Sequence, residues 1–250
     1  MSVESGLAGG RPLIVRPAAG ARARDHRFFT LMAVALALVV FIGFAPTYYL
    51  RSWMGGGREL AGLVHLHGVL STGWMLLFVA QTSLVSAGRT DLHRRLGLLA
   101  AALVPTLGVV GVITAITAAR HGVTPPGGPP PLAFLAVPLG TIAAFVVLAS
   151  LGLWYRRRSD THKRLMLLAT IAMLPPALAR MRWFGSGGPP LAISGSCAFV
   201  LVCLAYDRWS HRRIHPAFLW GGILLMLSLP LRFGLTRSSA WLSVAEWLTR

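Results

Sequence analysis

Long apolar stretches alternate with short, arginine-rich polar segments from residue 28 to residue 234. Each stretch has about 20 residues, enough for a helix to cross a hydrocarbon core of about 30 Å. A lipid core leaves exposed backbone polar groups without partners, so each crossing is expected to be helical. The pattern predicts an all-α transmembrane bundle of seven helices, with spans at 28–50, 61–86, 95–119, 132–155, 164–184, 190–206 and 216–234.

The two ends of the chain differ from the spans. Residues 1–24 are rich in Gly, Ala, Pro and Arg and lack an apolar stripe, which predicts a disordered basic tail. Residues 25–235 are the predicted transmembrane domain. In 236–250, apolar residues recur at helical spacing after Ser239, which could cap the helix, and this predicts an amphipathic helix on the membrane surface.

The distribution of positive charge predicts an orientation. The formal net charge is +17, although only 12% of the residues are charged. Sixteen of the 24 Arg and Lys residues precede odd-numbered spans, and eight lie in the other connections. The positive-inside rule then places the N-terminus in the cytoplasm and the C-terminus outside.

The same charge pattern indicates a partner and a location. Basic clusters placed between apolar runs favour anionic lipid headgroups at the cytoplasmic face and argue against nucleic acid. The near-exclusive use of Arg over Lys, with abundant Ala, Gly, Leu and Pro, is typical of a bacterial genome of high GC content. We therefore predict a multi-pass protein of the bacterial cytoplasmic (inner) membrane.

One polar motif recurs at the start of three spans. Residues 91–99 are DLHRRLGLL, residues 160–168 are DTHKRLMLL, and residues 207–219 contain the weaker copy DRWSHRRIHPAFL. In one interpretation the motif only marks a hairpin boundary. Asp91 and Asp160 would cap the helices that follow, and the arginines would extend to the lipid headgroups.

The other interpretation of the motif is a ligand site. His93 and His162, together with His211 or His215, would converge on the cytoplasmic side. Two imidazoles from facing helices can bind a haem iron or a metal ion, and the arginines beside them could pair with haem propionates or another anion. The sequence leaves both interpretations open.

The second span has an unusually polar face for a membrane helix. Lipid cannot satisfy such side chains, so this face should point into the bundle; it contains His67, Ser71, Trp74, Phe78 and Gln81. His65 lies on a neighbouring stripe, about 200° from His67 around the axis. Histidines within a span are candidates for function, and the alternative is an interhelical hydrogen bond. Trp74 and Gln81 are also candidates, although packing and helix association explain them more simply.

Further cations are expected near the outer ends of the spans. Arg180 follows Pro175-Pro176, which should kink the fifth span, and Arg232 ends the seventh. With His67 they could form a pocket for an anionic or small hydrophobic ligand, such as a lipid phosphate, a quinone oxygen or a carboxylate. Snorkelling of each arginine to the interface is the alternative.

The sequence contains no recognisable enzyme motif. It has no phosphate-binding loop, no H-E-x-x-H and no plausible serine nucleophile, so catalytic activity is not predicted in either direction. A carboxylate proton relay is not expected either, because all seven acids should lie outside the membrane core: Glu4, Asp25, Glu59, Asp91, Asp160, Asp207 and Glu246.

The combination of His65, His67, Gly68, Trp74 and Gln81 with H-R-R-L-G at 93–97 and D-T-H-K-R-L-M at 160–166 resembles a group of uncharacterised bacterial multi-pass membrane proteins, over about residues 30–235. The H-[KR]-R-L-M element is also similar to small membrane families linked to cytochrome oxidase assembly, and more distantly to cytochrome b type bundles. This second resemblance implies a haem- or respiration-related role, with His93 and His162 as candidate residues.

The sequence favours one function over two alternatives. The leading hypothesis is an inner-membrane protein whose buried histidines bind haem b, a metal ion or a quinone-like ligand in redox or assembly work. One alternative is a small-molecule or lipid transporter or scaffold that uses the outer Arg/His pocket. The other is a structural membrane subunit.

Overall fold

A computed structural model of the protein describes residues 19–54, 59–125, 128–181 and 188–250. Within these ranges the secondary structure is entirely helical, which confirms the all-α prediction. A π-helical turn, Ala45–Tyr49, follows the first of ten α-helices. The helices are α1 Ala19–Phe44, α2 Gly62–Ser86, α3 Thr90–Arg120, α4 Pro131–Phe134, α5 Ala136–Trp154, α6 Ser159–Ala172, α7 Pro175–Leu178, α8 Gly188–His211, α9 Pro216–Leu235 and α10 Ser239–Thr249.

Six helical segments of the described chain are long and apolar enough to cross a membrane, as expected of a multi-pass protein. They coincide with every predicted span except the fifth: Arg22–Tyr49, Gly62–Ser86, Thr90–Arg120, Pro131–Trp154, Leu191–His211 and Pro216–Leu235. The first segment extends into the predicted N-terminal tail, because α1 begins at Ala19. The rest of that tail, residues 1–18, lies outside the described residues.

The predicted fifth span, 164–184, differs from a continuous helix. α6 ends after 14 residues, and α7 begins at Pro175-Pro176. Because proline lacks an N–H and its ring crowds the preceding turn, the helix is interrupted just before these residues. The sequence predicted a kink at this point, and the structure has a break. Residues 182–184 lie outside the described residues.

α6 is the centre of the bundle. Every residue from Arg164 to Ala172 is buried, and the helix packs against α1, α5, α8 and α9. α6 and α7 together follow α1, from an ion pair between Lys163 and Asp25 to a close approach of Ala177 to Gly43. These contacts span 18 positions of α1, or about 27 Å at the helical rise of 1.5 Å per residue.

Three tight connections bring the basic segments together. The turns between α2 and α3, between α5 and α6 and between α8 and α9 all border one large cavity. We call this region the basic end; it comprises residues 86–95, 155–164 and 207–216. The opposite end of the bundle is called the far end.

A buried ion pair links three elements at the basic end. The Arg164 Nε lies 2.9 Å from the Asp207 Oδ2, and its Nη2 lies 2.6 Å from the Oδ1, in bidentate geometry. The two side chains are 3% and 0% exposed. Arg164 also donates to the carbonyl oxygen of Asp160, and Asp207 accepts from the backbone N–H of His215, both at 2.9 Å. The pair therefore joins α6 to α8 and to the turn before α9.

A second buried carboxylate fastens α1 to the same core. Asp25 accepts from the Tyr206 hydroxyl at 2.6 Å and from Lys163 Nζ at 2.5 Å. The Nε2 of His211 lies 3.0 Å from the Asp25 Oδ1. A single side chain thus holds α1 against both α6 and α8.

These contacts correct the capping interpretation of the repeated motif. Asp91 and Asp160 lie in the first turns of α3 and α6, and the N-cap positions are arginines whose side chains form no capping hydrogen bond. Arg164 does not extend to the headgroups, because Asp207 holds it inside the protein. Asp25 and Asp207, which the sequence places outside the membrane core, are buried within the protein at the basic end, a contact that the sequence did not predict.

α10 forms in the predicted C-terminal segment and packs against the protein. Its cap is Ser238, which accepts from the backbone N–H of Trp241, and not Ser239 as predicted. The Trp241 indole donates to the carbonyl oxygen of Leu132 at 3.1 Å, and Ala245 is fully buried. The apolar face of α10 therefore covers α4 at the far end.

The Arg164–Asp207 pair gives a first prediction. Asp207→Ala should lower the free energy of unfolding by about 3–5 kcal/mol, because Arg164 is left as a buried, unpaired cation. The double variant Arg164→Met/Asp207→Leu should recover much of this loss, since neither charge then remains buried. Thermal unfolding of the detergent-purified protein measures both effects.

The control for this prediction is Asp91→Ala. Asp91 pairs with Arg89 at the surface, where both side chains are 58% exposed, so the change should cost less than about 1 kcal/mol. Equal losses for Asp91→Ala and Asp207→Ala would contradict the role assigned to the buried pair.

Gly43 gives a second prediction. A Cβ at this position would collide with the backbone of Ala177 in α7, so Gly43→Ala should destabilise the protein by about 1–3 kcal/mol through overpacking. Gly73→Ala in α2 is the matched control, because its Cβ would meet no atom within 4 Å. It should be neutral or stabilising by up to about 1 kcal/mol. Thermal unfolding should therefore show a loss of stability in Gly43→Ala and none in Gly73→Ala, and a Gly43→Ala variant as stable as the wild type would argue against the close α1–α7 contact.

Candidate functional site

A cavity of about 1360 Å³ opens at the basic end between α1, α2, α3, α5 and α6. Pockets for small molecules usually have volumes of roughly 300–1,000 Å³. The cavity opens to the outside of the protein, since the side chains of Arg156, Arg157 and Arg213 line it and are exposed. A ligand larger than most metabolites would therefore fit.

The cavity has an apolar floor and a cationic rim. Buried side chains from α2, α3 and α6 form the floor, among them Trp74, Leu77, Phe78, Ala100 and Met166. Cations from four segments surround the entrance: Arg22, Arg94, Arg156, Arg157, Lys163 and Arg213. This combination suits an amphiphilic ligand with an apolar body and an anionic group.

Histidines from four helices and from the turn before α9 line the cavity. Its lining includes His26, His93, His162, His211 and His215. The ring centroids of His93 and His162 are 6.2 Å apart, and the ring planes are inclined at 80°. The structure thus brings together the two histidines that the repeated motif places at the starts of α3 and α6.

His162 is oriented by the end of α5. Its Nδ1 lies 2.8 Å from the carbonyl oxygen of Gly152, in the last turn of α5, where carbonyls have no partner further along the helix. The two helices are close here, because a side chain at Gly152 would collide with Met166. A carbonyl oxygen only accepts, so the Nδ1 carries the proton and the Nε2 keeps its lone pair. Ligating histidines are commonly held by such a hydrogen bond.

Two polar atoms in the cavity wall have no partner. The Nδ1 of His93 and the Oε1 of Gln81 are both buried without a hydrogen bond. Buried polar atoms in proteins are nearly always paired. These two orphaned atoms therefore favour a bound ligand in contact with α2 and α3.

The remaining motif histidines are engaged elsewhere. His211 contacts Asp25, and the His215 Nδ1 accepts from the backbone N–H of Ala217 at 3.1 Å, which caps α9. Burial, reinforced by the positive charge of Arg164, lowers the pKa of His215 below its ordinary value of 6.5. A neutral His215 retains the lone pair that the cap requires. The expectation that His211 or His215 joins the ligand site is therefore not supported by their contacts.

The side chains that could bind a metal here indicate whether a bare metal ion or a haem iron fits the cavity better. The described residues contain no group of three or more His, Cys, Asp and Glu side chains that could hold a metal ion, whereas zinc sites use three or four protein ligands. A metal bound on opposite sides by two imidazole nitrogens, at about 2.0–2.1 Å each, separates the ring centres by about 6 Å. Two histidines are sufficient where a porphyrin supplies the other ligands, so His93 and His162 fit a haem iron better than a bare ion.

Trp74 connects the cavity to the central helix. Its indole N–H donates to the Thr170 hydroxyl at 3.3 Å, and its ring packs edge-on against Phe145 with centroids 4.8 Å apart. Trp74, Phe78 and Gln81 are all buried, which confirms that this face of α2 points into the bundle. The packing role expected for Trp74 is thus combined with a place in the cavity floor.

The histidines of the outer half of α2 lie apart from each other. His65 is exposed, and its carbonyl oxygen accepts from the Tyr48 hydroxyl at 3.3 Å. His67 faces α3, where its Cε1 would be 3.7 Å from a Cβ at Gly111. The Nδ1 of His67 and the hydroxyl of Ser71 are buried without partners.

Arg180 lies at the surface of the far end. Its Nη1 donates to the carbonyl oxygen of Pro176 at 2.7 Å, and its guanidinium stacks over the Phe44 ring at 4.5 Å. The side chain thus joins α7 to α1.

Arg232 is buried, and its partners are different again. It donates to the hydroxyl of Thr141 at 3.0 Å and to that of Ser228 at 2.8 Å. Over the chain that the structure describes, no hydrogen bond joins His67, Arg180 and Arg232. Each of the three residues has its own neighbours in the structure, and a shared outer pocket stays a prediction.

Comparison with known proteins adds no assignment to this geometry. No protein-family model matches the chain, and no curated protein or solved structure gives a significant match.

Proposed function

We propose that the cavity at the basic end binds haem b, with His93 and His162 as the two axial ligands. The observation that carries this proposal is the 6.2 Å separation of their rings across a cavity with an apolar floor and a cationic rim. Bound haem would supply one-electron redox chemistry. The role that fits best is in electron transfer or respiratory assembly in the bacterial inner membrane.

Different residues of the protein would hold different parts of the haem. The Gly152 carbonyl fixes the His162 ring and leaves its Nε2 free, and His93 offers an unpartnered Nδ1. The floor around Trp74 and Phe78 excludes water from an apolar ring. Arg94 and the rim arginines would pair with carboxylates of the ligand, and this pairing would orient it with its charged edge outward.

A quinone-like ligand or a free metal ion would explain fewer features of this cavity than haem does. A quinone would use one hydrogen-bond donor and the apolar floor, and it does not require two imidazoles at this separation. A free metal ion would need a third protein ligand, which the described residues do not offer.

We further propose that α6 and α7 form a seventh crossing, with the N-terminus in the cytoplasm. They follow α1 from Asp25 to Gly43, and α1 is itself long enough to cross. α8 ends beside the start of α6, and its Gly195 packs against Leu178 of α7. These contacts at opposite ends support an α6–α7 segment that passes through the whole bundle.

The haem proposal predicts a visible absorption band that depends on both histidines. The full-length protein is purified in detergent and, if it is colourless, titrated with haemin. It should bind one equivalent of haem saturably and show a Soret band typical of a six-coordinate haem. His93→Ala or His162→Ala should shift the band to a five-coordinate form and weaken binding by at least tenfold, because each removes one iron ligand. Absorption and resonance Raman spectra measure these changes.

His121→Ala is the matched control for the haem experiment. His121 lies after α3 and contacts only the Thr117 carbonyl of its own helix, so its loss should leave the spectrum unchanged. Haemin uptake no greater than that of empty detergent micelles would refute the proposal. The proposal would also be refuted if an anionic lipid co-purified in the cavity and haemin failed to displace it.

The seven-crossing proposal predicts the side of each connection. Alkaline phosphatase fused after Arg250 should be active, and the same fusions after Gly88 and after Arg158 should be inactive, because only exported phosphatase folds in its active form. The Gly88 fusion is the control, since it reports the cytoplasmic side whether six or seven segments cross. An inactive Arg250 fusion, with a fluorescent protein emitting at the same position, would exclude the odd number of crossings.

A further inference from the structure

Arg232 is a buried cation that has no counter-charge among the residues that the structure describes. Its side chain is 5% exposed within the bundle, and its hydrogen-bond partners are the neutral hydroxyls of Thr141 and Ser228. Six of the seven acids lie in the described part of the chain, and none of them forms an ion pair with Arg232 there. A buried charge in this condition normally has an oppositely charged partner.

The packing of α9 against α5 fixes the position of the Arg232 side chain. A Cβ at Gly140 would lie only 2.7–2.8 Å from the Cγ, Cδ and Nε atoms of Arg232. Glycine at this position therefore lets the arginine lie flat against the α5 backbone. Thr141 accepts from the Nη1 and Ser228 from the Nη2, which leaves the Nε–H and one hydrogen on each Nη atom as further donors.

A second, much smaller cavity is lined in part by Arg232. It lies between the end of α6, the start of α7, α8 and α9, and its polar side chains are Arg232, Ser196 and Cys197. Ser196 is 4% exposed, and its hydroxyl is buried without a partner. About 10 Å³ is open to the centre of a water-sized sphere, which is room for one particle of that size.

The chemistry of the lining favours an anion. A guanidinium only donates, and a serine hydroxyl and a thiol can each donate one hydrogen. Pro175, which also lines the cavity, has no N–H and the remaining side chains are apolar. The C-terminal end of α6 contributes a negative dipole of about half a charge, which is less than the full positive charge of Arg232. The field in the cavity is therefore positive.

We propose that this cavity binds a single monatomic anion of chloride size, held by Arg232 and Ser196. A space of water size suits a monatomic anion better than sulfate, phosphate or a carboxylate. The site lies at the break between α6 and α7, far from the histidine cavity, so it is independent of haem binding. Its occupant neutralises Arg232 and joins α8 to α9 at the centre of the far half of the bundle.

Halide dependence of stability tests this proposal. Full-length protein in a neutral detergent is unfolded thermally while sodium gluconate is replaced by sodium chloride or bromide at constant ionic strength. Wild-type protein should show a saturable rise in the midpoint temperature with both halides and no rise with sulfate. Ser196→Ala should fold normally and raise the halide concentration at half-saturation about tenfold, because one hydrogen bond to the anion is lost.

Ser210→Ala is the matched control, since Ser210 also has a buried, unpartnered hydroxyl but lies at the basic end. It should leave the halide response unchanged. X-ray absorption at the bromine edge should detect one bromide per protein after desalting, and much less in Ser196→Ala. An equal response to every salt, an identical response in Ser196→Ala, or a protein without retained bromide would show that only water occupies the cavity, and would overturn the proposal.

Discussion

The buried pair of Arg164 and Asp207 is the constraint on which the arrangement of the basic end depends. Neither charge can be left alone in the interior, so α6 and α8 must meet in one register. That register places the start of α6, and with it His162, beside the end of α5 and opposite α3. The cavity follows from the same geometry, because Asp25 and Lys163 hold α1 at its side while the turn before α9 is fixed to Asp207.

The central position of α6 also explains why this helix is unlike the others. A helix surrounded by protein needs no lipid-facing surface, so it can be short, polar at its start and broken by two prolines. Its mean hydropathy is therefore a poor indicator of its role in the bundle. The same isolation from lipid permits a polar hydroxyl, that of Thr170, to meet Trp74 at the core.

Much of the fold could be predicted from sequence because lipid imposes a strict local rule. Apolar runs of sufficient length identify six helices, Pro175-Pro176 marks the interruption of α6, and the period of the α2 face identifies Trp74 and Gln81 as inward-facing. The proximity of His93 and His162 was accessible only as a hypothesis, since it depends on which helices are neighbours.

The burial of Asp25, Asp207 and Arg164 was missed for the same physical reason. Arg164 and Asp207 are 43 positions apart, and nothing local distinguishes them from residues that face solvent or headgroups. The outer cluster was the converse case. The sequence places His67, Arg180 and Arg232 towards the same ends of their spans, but it does not specify the direction in which each side chain points around its helix, so their grouping stays a prediction.

The position of Asp25 has a consequence for biogenesis. This carboxylate is among the first parts of the bundle to leave the ribosome, yet its partners Lys163 and His211 follow 138 and 186 residues later. Until both have been synthesised, the Asp25 carboxylate lacks the partners that hold α1 against α6 and α8 in the folded bundle. The contacts that fasten the start of α1 can therefore be completed only after α8 has been synthesised, so closure of the basic end comes late in the assembly of the bundle.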